Sequence, residues 1–206
     1  MQWVIRRTTG MNGKMKKPIR FDPSQYHRRS IRLRNFDYGQ PSAYFVTICA
    51  RDRECLFGQI EDGKILLNRF GLVLEEEWHR TAQIRPGLKL DAFCIMPNHI
   101  HGIIILTGSP LSADRRGTMH RAPTIFEQFG KPTSNSIPSI VRGFKSASTV
   151  GINEIRSTPG TPVWQRSYYE HVIRNEIDLE DVRQYIESNP FKWLEDKEHP
   201  ANLQTP

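Results

Sequence analysis

Leu90-Asp-Ala-Phe-Cys-Ile-Met-Pro-Asn-His-Ile-His-Gly-Ile-Ile-Ile-Leu106 is the stretch on which the fold turns. It contains two strand-like runs, 90–96 and 100–106, interrupted by Pro97 and Asn98. After Gly102 the second run is continuously apolar, the pattern of a central strand covered on both faces. His99 and His101 stand two apart at its start. On a strand that spacing puts both imidazoles on one face and turns Ile100 to the other.

Working upstream, residues 44–50 (Tyr-Phe-Val-Thr-Ile-Cys-Ala) are β-branched and aromatic, a strand by composition. Residues 57–67 read as a hairpin turning at Glu61, Asp62 and Gly63. Asn68 can cap a helix whose apolar positions Phe70, Leu74 and Trp78 fall at i, i+4 and i+8, with Val73 beside them. Pro86 and Gly87 end that region. Downstream, residues 107–138 are rich in Gly, Ser, Pro and Thr and read as a long flexible insertion. Ser136 or Ser139 starts a helix through Ile140, Phe144 and Ala147. Residues 163–174 are aromatic and irregular. Asp178 begins a helix with Leu179, Val182 and Ile186 on one stripe, stopping before Pro190. Interleaved strands and helices with a hairpin among them predict an α+β fold, one sheet covered mainly on one face by helices.

Composition narrows the class. The chain of 206 residues is 37% hydrophobic and 25% charged, which suits one well-buried core. No apolar run approaches the roughly 18 residues that would span a membrane. The opening residues lack the pattern of a secretory signal, and Cys49, Cys55 and Cys94 form no CxxC pair, so a reduced, cytoplasmic setting is expected. The formal net charge of +7 is unevenly spread: residues 1–34 carry +9 and the remainder −2. Residues 1–30 are therefore read as a basic flexible arm, 31–194 as the folded domain and 195–206 as a tail. A basic arm on a balanced body suits an acidic polymer, nucleic acid first; a solvated leader is the plainer explanation.

Three features carry chemistry. Two neighbouring imidazoles at the mouth of a buried strand need partners, and a divalent cation satisfies both while leaving positions open for substrate. Two hydrogen-bonded histidines would look the same in sequence. Zinc with Cys94 as a third ligand is a further option. In the last helix Tyr185 and Asn189 are four apart and project from one face. A phenol placed so can attack phosphorus once deprotonated, and the amide oxygen can complete a metal shell. The plainer alternative is a boundary ring and a helix C-cap. Last, Trp164, Arg166, Tyr168, Tyr169 and Arg174 interleave aromatics with cations, as suits single-stranded nucleic acid, or else pack as a core connector.

These residues together resemble the REP-associated tyrosine transposases, a branch of the HUH single-tyrosine transposases of bacterial insertion sequences. The likeness rests on Arg28-Arg-Ser-Ile-Arg-Leu33, Tyr44-Phe-Val-Thr-Ile48, Met96-Pro-Asn-His-Ile-His-Gly-Ile103 and residues 164–190. The resemblance implies a ferredoxin-like antiparallel sheet and a magnesium- or manganese-dependent enzyme. Such an enzyme nicks and rejoins single-stranded DNA beside a REP-like hairpin through a 5′-phosphotyrosine. It implies Tyr185 as nucleophile and His99, His101 and Asn189 as metal ligands. Arg28, Arg29, Arg32, Trp164, Arg166 and Arg174 are the expected DNA contacts. The expected setting is the bacterial cytoplasm, at the nucleoid. A domesticated protein that binds hairpins without transposing is the competing expectation; a zinc hydrolase without DNA leaves the basic arm unexplained.

Overall fold

The computed structural model of the chain describes residues 40–107 and 135–203. Arg28, Arg29, Arg32, the arm 1–30 and nearly all of the insertion lie outside them.

Four strands form one antiparallel sheet. β1 (Ser42–Cys49) and β5 (His99–Leu106) are central, β4 (Leu88–Ile95) lies outside β5, and β6 (Tyr169–Ile173) lies outside β1. The order β4-β5-β1-β6, with α1 (Arg69–Gln83) after β1 and α2 (Ile137–Arg156) after β5, is the ferredoxin-like arrangement. A separate hairpin, β2 (Gly58–Glu61) and β3 (Lys64–Leu67), precedes α1 and turns through Asp62 and Gly63, both at positive φ. Asn68 caps α1 as expected, its side-chain oxygen accepting from the Phe70 and Gly71 amides.

The two sheet faces carry unequal loads. On one, Tyr44, Val46, Ile48, Ile100 and Ile104 pack against Leu74 and Trp78 of α1 and Ile140 and Phe144 of α2. Each isoleucine so buried contributes roughly 1.5–3 kcal/mol. On the other, Phe45, Ile103 and Ile173 form a smaller cluster with Ile186 of α3 (Glu176–Ser188), joined by Leu179 and Val182. Two helices therefore cover one face and the third covers part of the other.

Two sequence expectations are corrected. Residues 163–174 are not wholly irregular: β6 lies within them, paired along β1 from Ala43↔Ile173 to Thr47↔Tyr169. Its alternation is obscured because Glu170, a charged residue, stands at a buried position while Tyr169 is exposed. Trp164, expected on DNA, is a core residue, 8% exposed, packed against Phe57 and Phe144 with its indole N–H donating to Ser148. A stacking platform must offer a free ring face, and Trp164 offers none.

Helix α3 is tied down at its N-terminus and near its middle. Arg183 donates two hydrogen bonds of 2.8 Å to the Asp91 carboxylate on β4, where a register shift between Leu90 and Phe93 interrupts the pairing. At its N-terminus Asn175 caps the Asp178 amide, and the Asp178 carboxylate meets His171 of β6 at 3.1 Å. The helix starts at Glu176, two residues before the sequence suggested, because Asn175 rather than Asp178 is the cap.

Gly102 is where α1 meets the central strand. A Cβ there would stand 2.3 Å from the Trp78 ring. Gly102→Ala is therefore expected to lower unfolding free energy by about 1–3 kcal/mol, read from the urea midpoint. An unchanged midpoint would show that the Trp78 ring has room to move.

Candidate active site

The Pro97-Asn98 break gives the site its first fixed point. Asn98 is fully buried, and its amide nitrogen donates to the backbone oxygens of Arg53 at 3.1 Å and Glu198 at 2.7 Å. That leaves its amide oxygen to accept from Nδ1 of His99 at 2.7 Å. His99 must then carry its proton on Nδ1, with the Nε2 lone pair free. Strand β1 supplies the second fixed point: Thr47, paired with His101, places its hydroxyl 2.9 Å from His101 Nδ1. The hydroxyl can accept the Nδ1 proton, which frees Nε2 of His101 as well.

The two Nε2 atoms are 2.9 Å apart, and both rings are fully buried. Burial lowers the His99 imidazole to about 4 and takes His101 well below its ordinary value; the neighbouring Lys197 adds to both shifts. The pair is therefore neutral at physiological pH, the form that binds metal.

Helix α3 brings Tyr185 and Asn189 to this point. The Tyr185 hydroxyl is 3.4 Å from His101 Nε2, and its ring meets His101 and Phe45 edge-on, with centroids 5.2 and 5.8 Å away. Desolvation, then the Asp196 carboxylate, raises its pKa, and a hydrogen bond from Asn189 opposes the rise. Asn189 is buried, and among the described residues its side-chain oxygen has no hydrogen-bond partner. A buried carbonyl oxygen without a partner, on the helix that brings Tyr185 to His101, is a free donor of the kind a divalent cation takes.

The sequence reading missed Asp196. Residues 195–199 are not a detached tail: Asp196 is buried, with Oδ2 3.8 Å from His99 Nε2. His99, His101 and Asp196 form a group whose ligand atoms all lie within 4.8 Å of one another. Glu198, bonded to Arg53, and Trp193, whose ring lies 6.1 Å from His99, hold this segment over the strand mouth. The one available signal was Trp193, an aromatic outside the helical stripe. Cys94 stays out of the group. It pairs with His101 in register, but its thiol turns to Ile95 and Met96, and burial pushes it up to about 12. The group therefore offers imidazole and carboxylate donors without a thiolate.

Of the expected DNA contacts, Arg166 is exposed at the site end of the sheet, where Gln165 bonds to Cys49. Arg174 follows the opposite end of β6, away from the histidines. No described helix is long and apolar enough to cross a membrane.

The candidate site is a buried His-x-His pair on a central strand of a ferredoxin-like sheet, faced by a helical tyrosine. No family model matches the chain. It is 36% identical over 178 residues to an uncharacterized protein of Haemophilus influenzae, covering 86% of this chain and 96% of that one. A putative REP-associated tyrosine transposase of the same organism is 26% identical over 156 residues, 76% of this chain and 74% of its own. The fold also matches the solved structure of a REP-associated tyrosine transposase bound to a REP hairpin. The TM-score is 0.50 at 21% identity, over 80% of this chain and 74% of that one. The chain is thus similar over about three quarters of its length to a protein named as a putative REP-associated tyrosine transposase, and it shares the fold of another.

The neutral imidazoles give a pH signature. The unfolded chain protonates them near 6.5, whereas the folded state resists until about 4 for His99, and burial likewise holds His101 well below its ordinary value. The unfolded state therefore binds more protons below 6.5. In chelator, stability should hold above that pH and fall between 6.5 and 5.5, before carboxylates contribute, by up to ~1.4 kcal/mol per pH unit per group. Urea midpoints across the window test this, and a flat profile would mean that the rings are solvated.

Proposed function

We propose that this chain nicks and rejoins single-stranded DNA beside a hairpin, with Tyr185 as the nucleophile. The observation that carries the reading is the Tyr185 hydroxyl, 3.4 Å from the Nε2 atom of a buried, neutral His101. Its relative's name and the REP hairpin bound to its structural neighbour support the substrate class. His99, His101, Asn189 and Asp196 would hold a divalent cation, Mg2+ or Mn2+, which when bound polarises the scissile phosphate and offsets charge in the transition state.

The chain's own residues do the rest. Asn98 and Thr47 set the imidazole tautomers. Phe45 holds the Tyr185 ring edge-on, and the amide of Asn189 favours the phenolate over the phenol. In the cleavage step the phenolic oxygen bonds to phosphorus, the bond from phosphorus to the 3′ oxygen breaks, and that oxygen leaves as a hydroxyl. The phenolic proton goes to solvent, and solvent protonates the 3′ oxygen. Rejoining runs the same exchange backwards, the 3′-hydroxyl displacing Tyr185. We further propose that the basic arm 1–30 and Arg166 meet the DNA backbone and that the protein acts on the bacterial chromosome.

Tyr185→Phe keeps the ring on Phe45 and removes the attacking oxygen. It should abolish the covalent DNA adduct on a denaturing gel while hairpin binding changes less than about twofold. An adduct that survives this substitution would move the nucleophile elsewhere, Tyr169 first.

His99→Ala should cut cleavage by about a hundredfold or more and remove tight Mn2+ binding seen by calorimetry. Full cleavage by the wild type in chelator would overturn the metal assignment. Hairpin binding with no cleavage under any metal would favour a protein that only recognises hairpins.

A further inference from the structure

We propose that Lys197 binds the backbone phosphate of single-stranded DNA at the cleavage site, as a cation mounted on the Tyr169 ring beside the imidazole pair. The inference deepens the reading above and rests on it. It begins with how firmly the root of this side chain is held. On one side Asp196 is buried against His99, its backbone oxygen accepting from Asn202 at 2.9 Å and its carboxylate from the Glu198 amide at 2.6 Å. On the other, the Glu198 carboxylate bonds to Arg53, and its backbone oxygen accepts from Asn98 at 2.7 Å. Lys197 thus leaves a pinned backbone and is itself exposed.

Its ammonium group is 5.4 Å from the centroid of the Tyr169 ring, within cation–π range. Tyr169 lies opposite Thr47, whose hydroxyl holds His101. The Tyr169 ring touches Phe45 at 6.2 Å, and Phe45 touches Tyr185 at 5.8 Å. A continuous wall therefore runs from Lys197 through Tyr169 and Phe45 to the attacking hydroxyl. The charge of Lys197 also bears on both imidazoles, so it lies within electrostatic reach of them.

The neighbouring cations are engaged elsewhere. Arg53 is held by Glu198, Arg183 by Asp91, and Lys145 donates to the Gln165 and Ser167 backbone oxygens at 2.8 and 2.9 Å. Lys197 has no ion pair among the described residues. Asp196 and Glu198 would repel an incoming phosphodiester, and an uncommitted ammonium at the same entrance offsets that repulsion. An ammonium acts here as a point charge and sets no base preference.

The test is the salt dependence of binding by the full chain, followed by fluorescence anisotropy. Two labelled probes are used: a hairpin from the DNA flanking the gene with an oligothymidylate tail, and the same hairpin blunt-ended. Lys197→Gln should weaken binding of the tailed probe about two- to fivefold and flatten its slope of log affinity against log salt by roughly 0.7. The blunt probe should be unaffected, and Lys197→Arg should restore the slope. An unchanged slope on the tailed probe, with the wild type binding it, would overturn the inference and leave the DNA reading intact. Equal losses on both probes, or no rescue by Arg, would also overturn it, giving Lys197 a structural role. Failure of the wild type to bind either probe would overturn the DNA reading itself.

Discussion

Two imidazole nitrogens held 2.9 Å apart inside a dry strand mouth are the constraint on which the rest of this structure depends. Neutral rings in such a place need their outer nitrogens satisfied and their inner ones shared. Asn98 and Thr47 satisfy the outer pair, and each is positioned by a different part of the fold. Thr47 requires β1 and β5 to pair in one register, since a slip by a single residue would turn it to the opposite face. Asn98 requires the break before β5, where its amide also holds Arg53 and Glu198 in place. The strand pairing, the break and the returning C-terminal segment are thus three supports of a single polar arrangement.

The division of labour between the two sheet faces follows from the same geometry. Alternation along β5 gives Ile100, Gly102 and Ile104 to α1 and α2, and His99, His101 and Ile103 to α3. The heavily packed face contributes most of the apolar burial and none of the candidate site residues described above. The lighter face carries the candidate site, and specific polar ties supplement its small apolar cluster: Arg183 to Asp91, and His171 to Asp178. Charged ties are directional where apolar contacts are not, which suits a helix that must present one hydroxyl to one point.

Much of this was legible in the sequence because it depends on period and local chemistry. The spacing of His99 and His101 placed both on one face, and the spacing of Tyr185 and Asn189 did the same on a helix. Asn68 and the Asp62–Gly63 turn were readable for similar reasons. What escaped was set by contacts distant in sequence. Trp164 sits among cations and aromatics that suggest a nucleic-acid surface, yet Ser148, sixteen residues earlier, receives its indole proton. Asp196 stands in a run of charged residues that reads as a solvated tail. Only the return of that segment to Asn98, a hundred residues away, makes it part of the site. Strand β6 was hidden because Glu170, a charged residue, stands at a buried position in it.

Gly102 and Trp78 share one volume: the indole occupies the space that a side chain on the strand would fill. Trp78 is almost fully buried, so its ring has little room to retreat. The two positions are therefore coupled in size. A larger residue after the second histidine becomes acceptable only with a smaller one at position 78, and the helix would then lose its stacking on Phe93. The size of residue 78 is thereby tied to a backbone atom next to His101, although Trp78 itself lies on the face opposite the candidate site.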